Sequence, residues 1–266
     1  MHKSNPRGFF HCVDGDARII PGKHDRCQCK MVGIVYKWIG NIQSHCLPTQ
    51  CLLCGAQSDE WSNLCRGCRA DLPWVQEVCP RCAAPVPGSV LCTACQEQAP
   101  SFDRTYGPCR YRPPISDLIQ RLKFHGALAA APALGSVLSR WLQEHLSSYP
   151  DAVLPVPLHP ERVRERGYNQ AVEIGRIVAK QLALPLLVAG ATRTRPTKPQ
   201  STLASKRERH ANLRNAFQLR HNFGENTHIA ILDDVMTSGA TVQALARTLR
   251  RAGVARVDVW ICARAG

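Results

Sequence analysis

Apolar residues from residue 151 onward fall into two kinds of pattern. Short apolar runs predict buried strands at residues 152–156, 186–189, 229–232 and 257–262. Between these runs, apolar side chains recur at helical spacing over residues 170–182 and 241–251, and Gly253 follows the second of these helices as a stop signal. Strands that alternate with helices are typical of a parallel sheet covered by helices. We therefore predict an α/β domain over residues 151–266.

The preceding segment, residues 101–150, has a helical pattern. The apolar residues of its first helix lie at positions i, i+3, i+4 and i+7, and they are Ile115, Leu118, Ile119 and Leu122. A second helix is predicted from Leu134 to Leu146.

The N-terminal part of the chain has a different composition. Residues 46–100 are dense in Cys, Pro and Arg and contain no long apolar run, so this segment needs a covalent or metal cross-link to fold. Residues 1–45 have no clear periodicity. We expect a loose extension there, or a start codon placed upstream of the true one, with Met31 as the alternative start. An ordered extension is the remaining interpretation.

Apolar runs are too short throughout the chain to form a membrane helix. The best candidates, residues 127–134 and 182–191, are both interrupted by proline. The apolar stretch at residues 31–39 contains Lys37, and no small-residue cleavage site follows it. The sequence therefore predicts a cytoplasmic protein without membrane insertion, whose thiols stay reduced.

Eight of the 14 cysteines form four C-x-x-C pairs at nearly equal spacing. The array consists of Cys51, Cys54, Cys65, Cys68, Cys79, Cys82, Cys92 and Cys95. Each pair can supply two thiolates to one tetrahedral metal, so four pairs predict two structural Zn2+ sites with no open position for catalysis. The spacing leaves open whether consecutive pairs share a zinc or whether the pairs are cross-braced. The compartment disfavours a disulfide scaffold, and the spacing is less typical of an iron–sulfur site.

The chain is strongly basic. Lys and Arg number 34 against 20 Asp and Glu, for a net charge of +14. This charge favours an anionic partner, which is a nucleic acid, a phosphorylated metabolite or an acidic membrane surface. The stretch from Arg193 to Arg220 is especially basic, and three interpretations of it stay open: a flap over a pyrophosphate group, a surface for the nucleic acid backbone, or a solvated face.

The apolar strand at residues 229–232 is followed by two acidic residues and a short loop rich in hydroxyl groups. From His228 the segment reads H-I-A-I-L-D-D-V-M-T-S-G-A-T, and a helix follows it. Backbone N–H groups at a helix N-terminus, beside a glycine that permits close approach, form a binding site for an anion such as phosphate. The carboxylates can accept hydrogen bonds from sugar hydroxyls or face a phosphate-bound Mg2+. The alternative is a surface loop with two solvated acids.

This segment resembles the signature of type I phosphoribosyltransferases that binds phosphoribosyl pyrophosphate (PRPP). The resemblance implies a Rossmann-like parallel sheet, in which Asp233 and Asp234 hold the ribose 2′- and 3′-hydroxyls. It also implies that a loop wraps the 5′-phosphate, and this loop consists of Thr237, Ser238, Gly239, Ala240 and Thr241.

Further motifs narrow the resemblance to the ComF/GntX family. P-V-P-L at residues 155–158 precedes R-G-Y-N-Q at residues 166–170, where Tyr168 stands in place of the family's usual Phe. L-K-F-H-G at residues 122–126 and a double zinc ribbon over residues 46–100 are also similar to this family, so the resemblance covers residues 46–266.

The resemblance implies a protein that is associated with competence and with the use of external DNA. It also implies that the protein binds Mg2+-PRPP. A nucleophile that the sequence does not identify would displace pyrophosphate at C1′, and residues 101–150 would form the hood that selects it. The residues expected to contact pyrophosphate are Arg166, Lys198, Gln200 and Arg209. The alternative is a non-catalytic protein that binds single-stranded DNA, a competence helicase or another DNA-uptake protein, and uses the same fold as a phosphate-binding platform.

Overall fold

The structure is a computed structural model that describes residues 50–58, 63–194 and 216–266. Its strands are β1 (Arg104–Tyr106), β2 (Cys109–Arg110), β3 (Ala152–Pro155), β4 (Ala191–Arg193), β5 (Phe217–Leu219), β6 (His228–Met236) and β7 (Arg256–Arg264). The central sheet has the order β1-β7-β6-β3, with every neighbouring pair parallel, and β2 pairs with β7 on the same side as β1. Strands β4 and β5 form a separate antiparallel pair.

Four of the α-helices in the described residues cover the two faces of this sheet. The α-helices are α1 (Arg66–Ala70), α2 (Thr93–Glu97), α3 (Ile115–Phe124), α4 (Ala130–His145), α5 (Pro160–Arg166), α6 (Gln170–Leu182) and α7 (Ala240–Arg251). Helices α3, α4 and α6 pack on one face, whereas α7 and the β4–β5 pair pack on the other. Within the described residues, no helix combines the length and the apolar content that a membrane span requires.

Strand β7 illustrates why the central strands are apolar on both sides. Successive side chains of a strand point to opposite faces. Trp260 and Cys262 belong to the core beneath α3, α4 and α6, whereas Val257, Val259 and Ile261 belong to the core beneath α7. A parallel sheet buried in this way requires nearly continuous apolar runs, which is the pattern that the sequence displays.

The structure confirms most of the predicted elements and corrects two strands. Residues 186–189 are not a strand, because Leu186 forms only an isolated bridge with Val153 before the chain turns toward β4. The strand predicted at residues 229–232 extends to Met236, because its pairing with β7 continues as far as Arg264. The segment predicted as helical, residues 101–150, also contributes β1 and β2 to the sheet. The expected extension at residues 1–45 lies outside the described residues.

The cysteine-rich segment consists of two similar halves. In each half, a tight turn that carries one cysteine pair precedes a short helix that begins directly after the next cysteine. In the first half, Gln50 bridges Gln57 and Cys65 caps α1, whereas in the second half Val78 bridges Pro85 and Cys92 caps α2. The repeat noticed in the cysteine spacing is therefore a repeat of structure.

Candidate functional site

The structure resolves how the cysteine pairs combine. The sulfur atoms of the first two pairs lie within 4.8 Å of one another, and those of the last two pairs do the same. The first set is Cys51, Cys54, Cys65 and Cys68, and the second set is Cys79, Cys82, Cys92 and Cys95. Consecutive pairs therefore share a site, and the cross-braced arrangement is not the one observed.

Each cysteine set has the dimensions of a zinc site. The Sγ atoms of Cys54 and Cys65 lie 3.6 Å apart, as do those of Cys82 and Cys92. In a tetrahedron with Zn–S bonds of about 2.3 Å, sulfur atoms are separated by roughly 3.8 Å. Both sets therefore fit one structural zinc ion each.

Backbone turns place the first pair of each set. The Cys51 N–H donates to the Ala56 carbonyl at 2.7 Å, and the Cys79 N–H donates to the Ala84 carbonyl at 2.8 Å. Each turn contains a residue with positive φ directly after its second cysteine, Gly55 at +76° and Ala83 at +56°. The turns thus aim two sulfur atoms to the same side.

The cysteine thiols must lose their protons before they can bind a metal ion, so their pKa values matter for the two sites. Burial raises the pKa of the Cys51 thiol, but hydrogen bonds from backbone N–H groups outweigh it and bring the pKa down to about 6. The same balance brings the pKa of Cys79 to about 7. In contrast, burial and the neighbouring sulfur atoms raise the pKa of Cys95. Four thiolates thus require a cation among them, and binding of the cation releases protons.

The two acidic residues predicted to bind ribose lie inside β6 and not after it. Consecutive strand residues point to opposite faces, so Asp234 lies toward α3 and Asp233 toward α7, while their carboxyl groups stay near enough to interact. Asp234 is 2% exposed, and its Oδ2 lies 2.6 Å from the Nζ of Lys123, at the end of α3. Asp233 is half-buried on the other face, where it lines a small pocket at the start of α7.

Lys123 is a site residue whose role the sequence reasoning missed. Burial lowers the pKa of its ammonium group, but the Asp234 carboxylate more than offsets this effect and the pKa is raised. The Tyr168 hydroxyl donates to the Leu122 carbonyl and so anchors the end of α3 beside this ion pair. The L-K-F-H-G motif was the available signal, because Lys123 is its second residue.

Asp233 lies in an environment that disfavours its charge. Burial and the neighbouring Asp234 carboxylate raise the pKa of Asp233 to about 8, although Lys123 acts in the opposite direction. Arg193 of β4 also lies within electrostatic range of Asp233, and its pKa is lowered by burial and raised by that carboxylate. The basic stretch noted in the sequence therefore contributes at least one cation near the acid pair.

The hydroxyl-rich loop connects β6 to α7, as the sequence predicts. Gly239 has a φ of +74° and forms the N-cap of α7, a conformation that residues with a Cβ rarely adopt. The pocket at this point has a volume of about 20 Å³, and its lining includes Asp233, Thr237, Gly239, Ala240 and Thr241. A helix N-terminus beside a carboxylate is thus the geometry observed at the predicted phosphate loop.

Side chains of the R-G-Y-N-Q motif link α6 to the segment that follows β3, close to the end of the strand. The Asn169 side chain caps α6 by accepting from the Ala171 N–H at 3.0 Å, and its Nδ2 donates to the Val156 carbonyl at 3.0 Å. Arg166, predicted to contact pyrophosphate, ends α5, donates to Gln170 and lies over the ring of Phe124. The other candidates, Lys198, Gln200 and Arg209, lie outside the described residues.

A second cavity of the described residues lies elsewhere and is much larger than this pocket. It has a volume of about 840 Å³ and lies between α1 of the first cysteine half and α4. Its lining includes Arg66, Arg69, Trp74, Arg140, Trp141 and Glu144. The sequence reasoning did not find this groove, because its sides come from segments far apart in the chain.

Known proteins resemble this chain over most of its length. A family model described as Double zinc ribbon domain matches residues 42–96. Competence protein F of Haemophilus influenzae is 33% identical over 211 residues, which cover 77% of this chain and 91% of that protein. DNA utilization protein YhgH of Escherichia coli is 34% identical over 228 residues, which cover 82% of this chain and 98% of that protein.

Among solved structures, the chain is similar to adenine phosphoribosyl transferase from Trypanosoma brucei, with a TM-score of 0.39 and 11% identity. The match covers 64% of this chain and 85% of that one, and it is too distant to carry an argument about function.

The fold and the cysteine sites define the class of protein predicted from the sequence, which is a parallel α/β sheet preceded by a double zinc ribbon. With relatives at 33% and 34% identity that align over nearly their whole length, the chain belongs to the ComF family, the family of competence protein F.

Zinc content tests the two cysteine sets. We expect two zinc ions per chain in the parent and one in Cys79→Ser, because only the second set loses a ligand. Zinc contributes on the order of 10 kcal/mol to the folding of such modules, so the second half of the ribbon is expected to unfold. Elemental analysis of the purified protein measures the content. Cys109→Ala removes a buried thiol outside both sets and should retain two ions; two ions in Cys79→Ser would contradict the assignment.

The raised pKa of Asp233 predicts that this residue lowers the free energy of unfolding by an amount that depends on pH. In the unfolded chain this carboxyl loses its proton near pH 4, whereas the folded protein retains it until about pH 8. The free energy of unfolding of the parent therefore falls as the pH rises from about 4 to about 8. In Asp233→Asn this pH-dependent fall is absent, because the side chain does not ionise. We expect the variant to unfold about 5 °C or more above the parent at pH 8, and at nearly the same temperature at pH 4.

Thermal unfolding at matched ionic strength from pH 4 to pH 9 measures this difference. Glu144→Gln, which changes an exposed acid, serves as the control and should follow the parent. A difference between Asp233→Asn and the parent that stays constant over the whole range would contradict the prediction.

Proposed function

We propose that this protein binds Mg2+-PRPP at the edge of the sheet where β6 ends, and that it transfers the phosphoribosyl group in the use of external DNA. The observation that carries the proposal is the succession of a buried strand with two acids, a hydroxyl-rich loop and the N-terminus of α7. The names of the relatives, competence protein F and DNA utilization protein, support the biological context.

The two acids take different parts in this proposal. Asp233 lines the pocket and would accept hydrogen bonds from the ribose hydroxyls. Asp234 holds Lys123, whose ammonium group offsets the negative charge of the Asp234 carboxylate beside an anionic ligand. Direct contact of both acids with the ribose, which the family resemblance implies, stays a prediction.

The loop and the nearby cations suit the rest of the ligand. Backbone N–H groups at the start of α7 would bind the 5′-phosphate. Carboxylate oxygens are ligands that Mg2+ prefers, so Asp233 is suited to face the ion that PRPP carries, and that ion would neutralise diphosphate charge. The predicted pyrophosphate contacts are Arg166, Lys198, Gln200 and Arg209, to which the structure adds Arg193 as a candidate.

The reaction would depend on position and charge. The nucleophile attacks C1′, the bond from C1′ to the pyrophosphate oxygen breaks, and the electron pair leaves with pyrophosphate. Basic side chains stabilise the charge that develops on the leaving group, whereas bound geometry supplies most of the remaining acceleration. We assign no residue as the general base.

Calorimetric titration of Mg2+-PRPP into the zinc-loaded protein tests the proposal. We expect saturable binding by the parent and none by Asp233→Asn/Asp234→Asn, because the variant loses the carboxylate oxygens that would face the ribose hydroxyls and Mg2+, and it loses the charged partner of Lys123. Removal of one member of a buried ion pair commonly costs about 3–5 kcal/mol, so the fold of the variant is checked by circular dichroism. A second variant, Lys123→Met/Asp234→Asn, removes both charges while retaining Asp233, and we expect it to keep part of the affinity.

The proposal would be abandoned if the folded parent did not bind Mg2+-PRPP, or if the double Asn variant bound it with unchanged affinity. Glu144→Gln is the matched control for loss of a carboxylate and should bind as the parent does.

Single-stranded DNA binding is a second candidate function, which the groove between α1 and α4 favours. Three arginines can neutralise phosphates there, and the exposed Trp74 ring can stack on a base, whereas Trp141 is already stacked on His145. The Trp74 indole N–H donates to the Arg69 carbonyl at 3.2 Å, which holds an exposed ring in place. Glu144, 3.9 Å from Arg140, weakens the positive potential at one side of the groove.

Titration of a fluorescent oligodeoxynucleotide over a salt series tests this second function. We expect Trp74→Ala to weaken binding about 5- to 150-fold, since base stacking is worth roughly 1–3 kcal/mol for each base. Arg66→Gln should reduce the slope of log affinity against log salt by about one. Tyr149→Ala removes an exposed aromatic ring outside the groove and should have no effect. Equal effects of Trp74→Ala and Tyr149→Ala would contradict a role for the groove.

A further inference from the structure

Arg264, the last residue of β7, connects the second cysteine set to the loop that opens α7. Its Nε donates to the Cys82 carbonyl at 3.0 Å. Its Nη1 donates to the Met236 carbonyl at 3.0 Å and to the Thr237 carbonyl at 2.6 Å, and also to the Ala265 carbonyl. One half-buried guanidinium group therefore contacts a zinc-site turn and the proposed phosphate loop together.

These bonds orient the backbone of the loop. In a planar trans peptide, the N–H of one residue points opposite to the carbonyl of the residue before it. Because Arg264 holds the carbonyls of Met236 and Thr237, the N–H groups of Thr237 and Ser238 point away from Arg264. Ala265 adds to this arrangement, since its N–H also donates to the Met236 carbonyl at 3.0 Å.

The two cysteine sets differ in what they contact. Cys82 carries the carbonyl that Arg264 binds, and it is also a ligand of the second set. The first set contacts a different element, because Arg121 of α3 donates to the Leu52 carbonyl at 3.0 Å from an exposed position. Loss of metal from the second set would release one end of the Arg264 connection, whereas loss from the first set would leave it intact.

We propose that Arg264 is a positioning residue through which the metal-loaded second cysteine set orders the loop at residues 237–241. The zinc ribbon then supports the ligand site, and loss of one particular zinc would disorder the loop. The effect on PRPP binding rests on the proposed function, whereas the effect on the order of the loop does not.

Hydrogen–deuterium exchange of the loop, with and without Mg2+-PRPP, tests the proposal in the full chain. We expect loop amides of Arg264→Gln to exchange about tenfold faster than in the parent, and its PRPP affinity to fall about tenfold, since four hydrogen bonds from a charged donor are lost. Arg264→Lys should recover part of both effects, because an ammonium group can reach one partner but cannot bridge the two.

Two matched controls separate positioning from general stability. Arg250 donates to the carbonyls of Ser101, Val254 and Ala255 and forms an ion pair with Asp103, so Arg250→Gln loses at least as many bonds at the other end of α7. We expect it to lower the unfolding temperature without accelerating exchange in the loop. Cys82→Ser should accelerate exchange in the loop, whereas Cys54→Ser, which disrupts the first set, should not.

The inference would be overturned by unchanged loop exchange in Arg264→Gln, by an equal acceleration in Arg250→Gln, or by equal effects of Cys54→Ser and Cys82→Ser. If the parent does not bind PRPP, the proposed function fails, but the exchange rates still decide the role of Arg264.

Discussion

The hydrogen-bonded ladder between β6 and β7 holds the candidate site in place. It runs from the pairing of His228 with Arg256 to that of Met236 with Arg264 and is buried on both faces of the sheet. Its length carries Asp233 and Asp234 inside the strand, so that one acid lies toward α3 and the other toward α7. The same register brings Arg264 beside Met236, where it can hold the loop. A shorter ladder would leave both acids on a loop and Arg264 without this contact.

The two acidic residues of the candidate site lower the stability of the fold, although nearby cations offset part of their charge. Two adjacent carboxylates near an apolar core repel each other and lose hydration. Lys123 compensates Asp234 from one face, and Arg193 lies near Asp233 on the other. The compensation is incomplete, because the pKa of Asp233 remains well above its usual range. A site that keeps an uncompensated acid is suited to a ligand that brings hydroxyl groups or a cation.

The zinc ribbon takes the place of a hydrophobic core in a segment too small to have one. Its two halves repeat one structural unit, but the fold uses them differently. The Thr105 hydroxyl donates to the Arg81 carbonyl at 2.8 Å, and Arg264 binds the Cys82 carbonyl, so the second half is attached to β1 and β7. The first half contributes α1 to one wall of the large groove. One half thus faces the proposed phosphate loop, and the other faces the candidate DNA surface.

The sequence alone determined the local features whose signals are themselves local. Helical spacing identified α3, α4, α6 and α7, cysteine spacing predicted two zinc sites, and the hydroxyl-rich loop marked the connection from β6 to α7. Only the tertiary structure decided the pairing of the cysteine sets, the extension of β6 and the places of Lys123, Arg193 and Arg264. Each of these depends on strand register or on side chains that are distant in the chain. Periodicity records which face of an element is buried, but it carries no information on which charged group lies opposite, because that is decided when the elements pack.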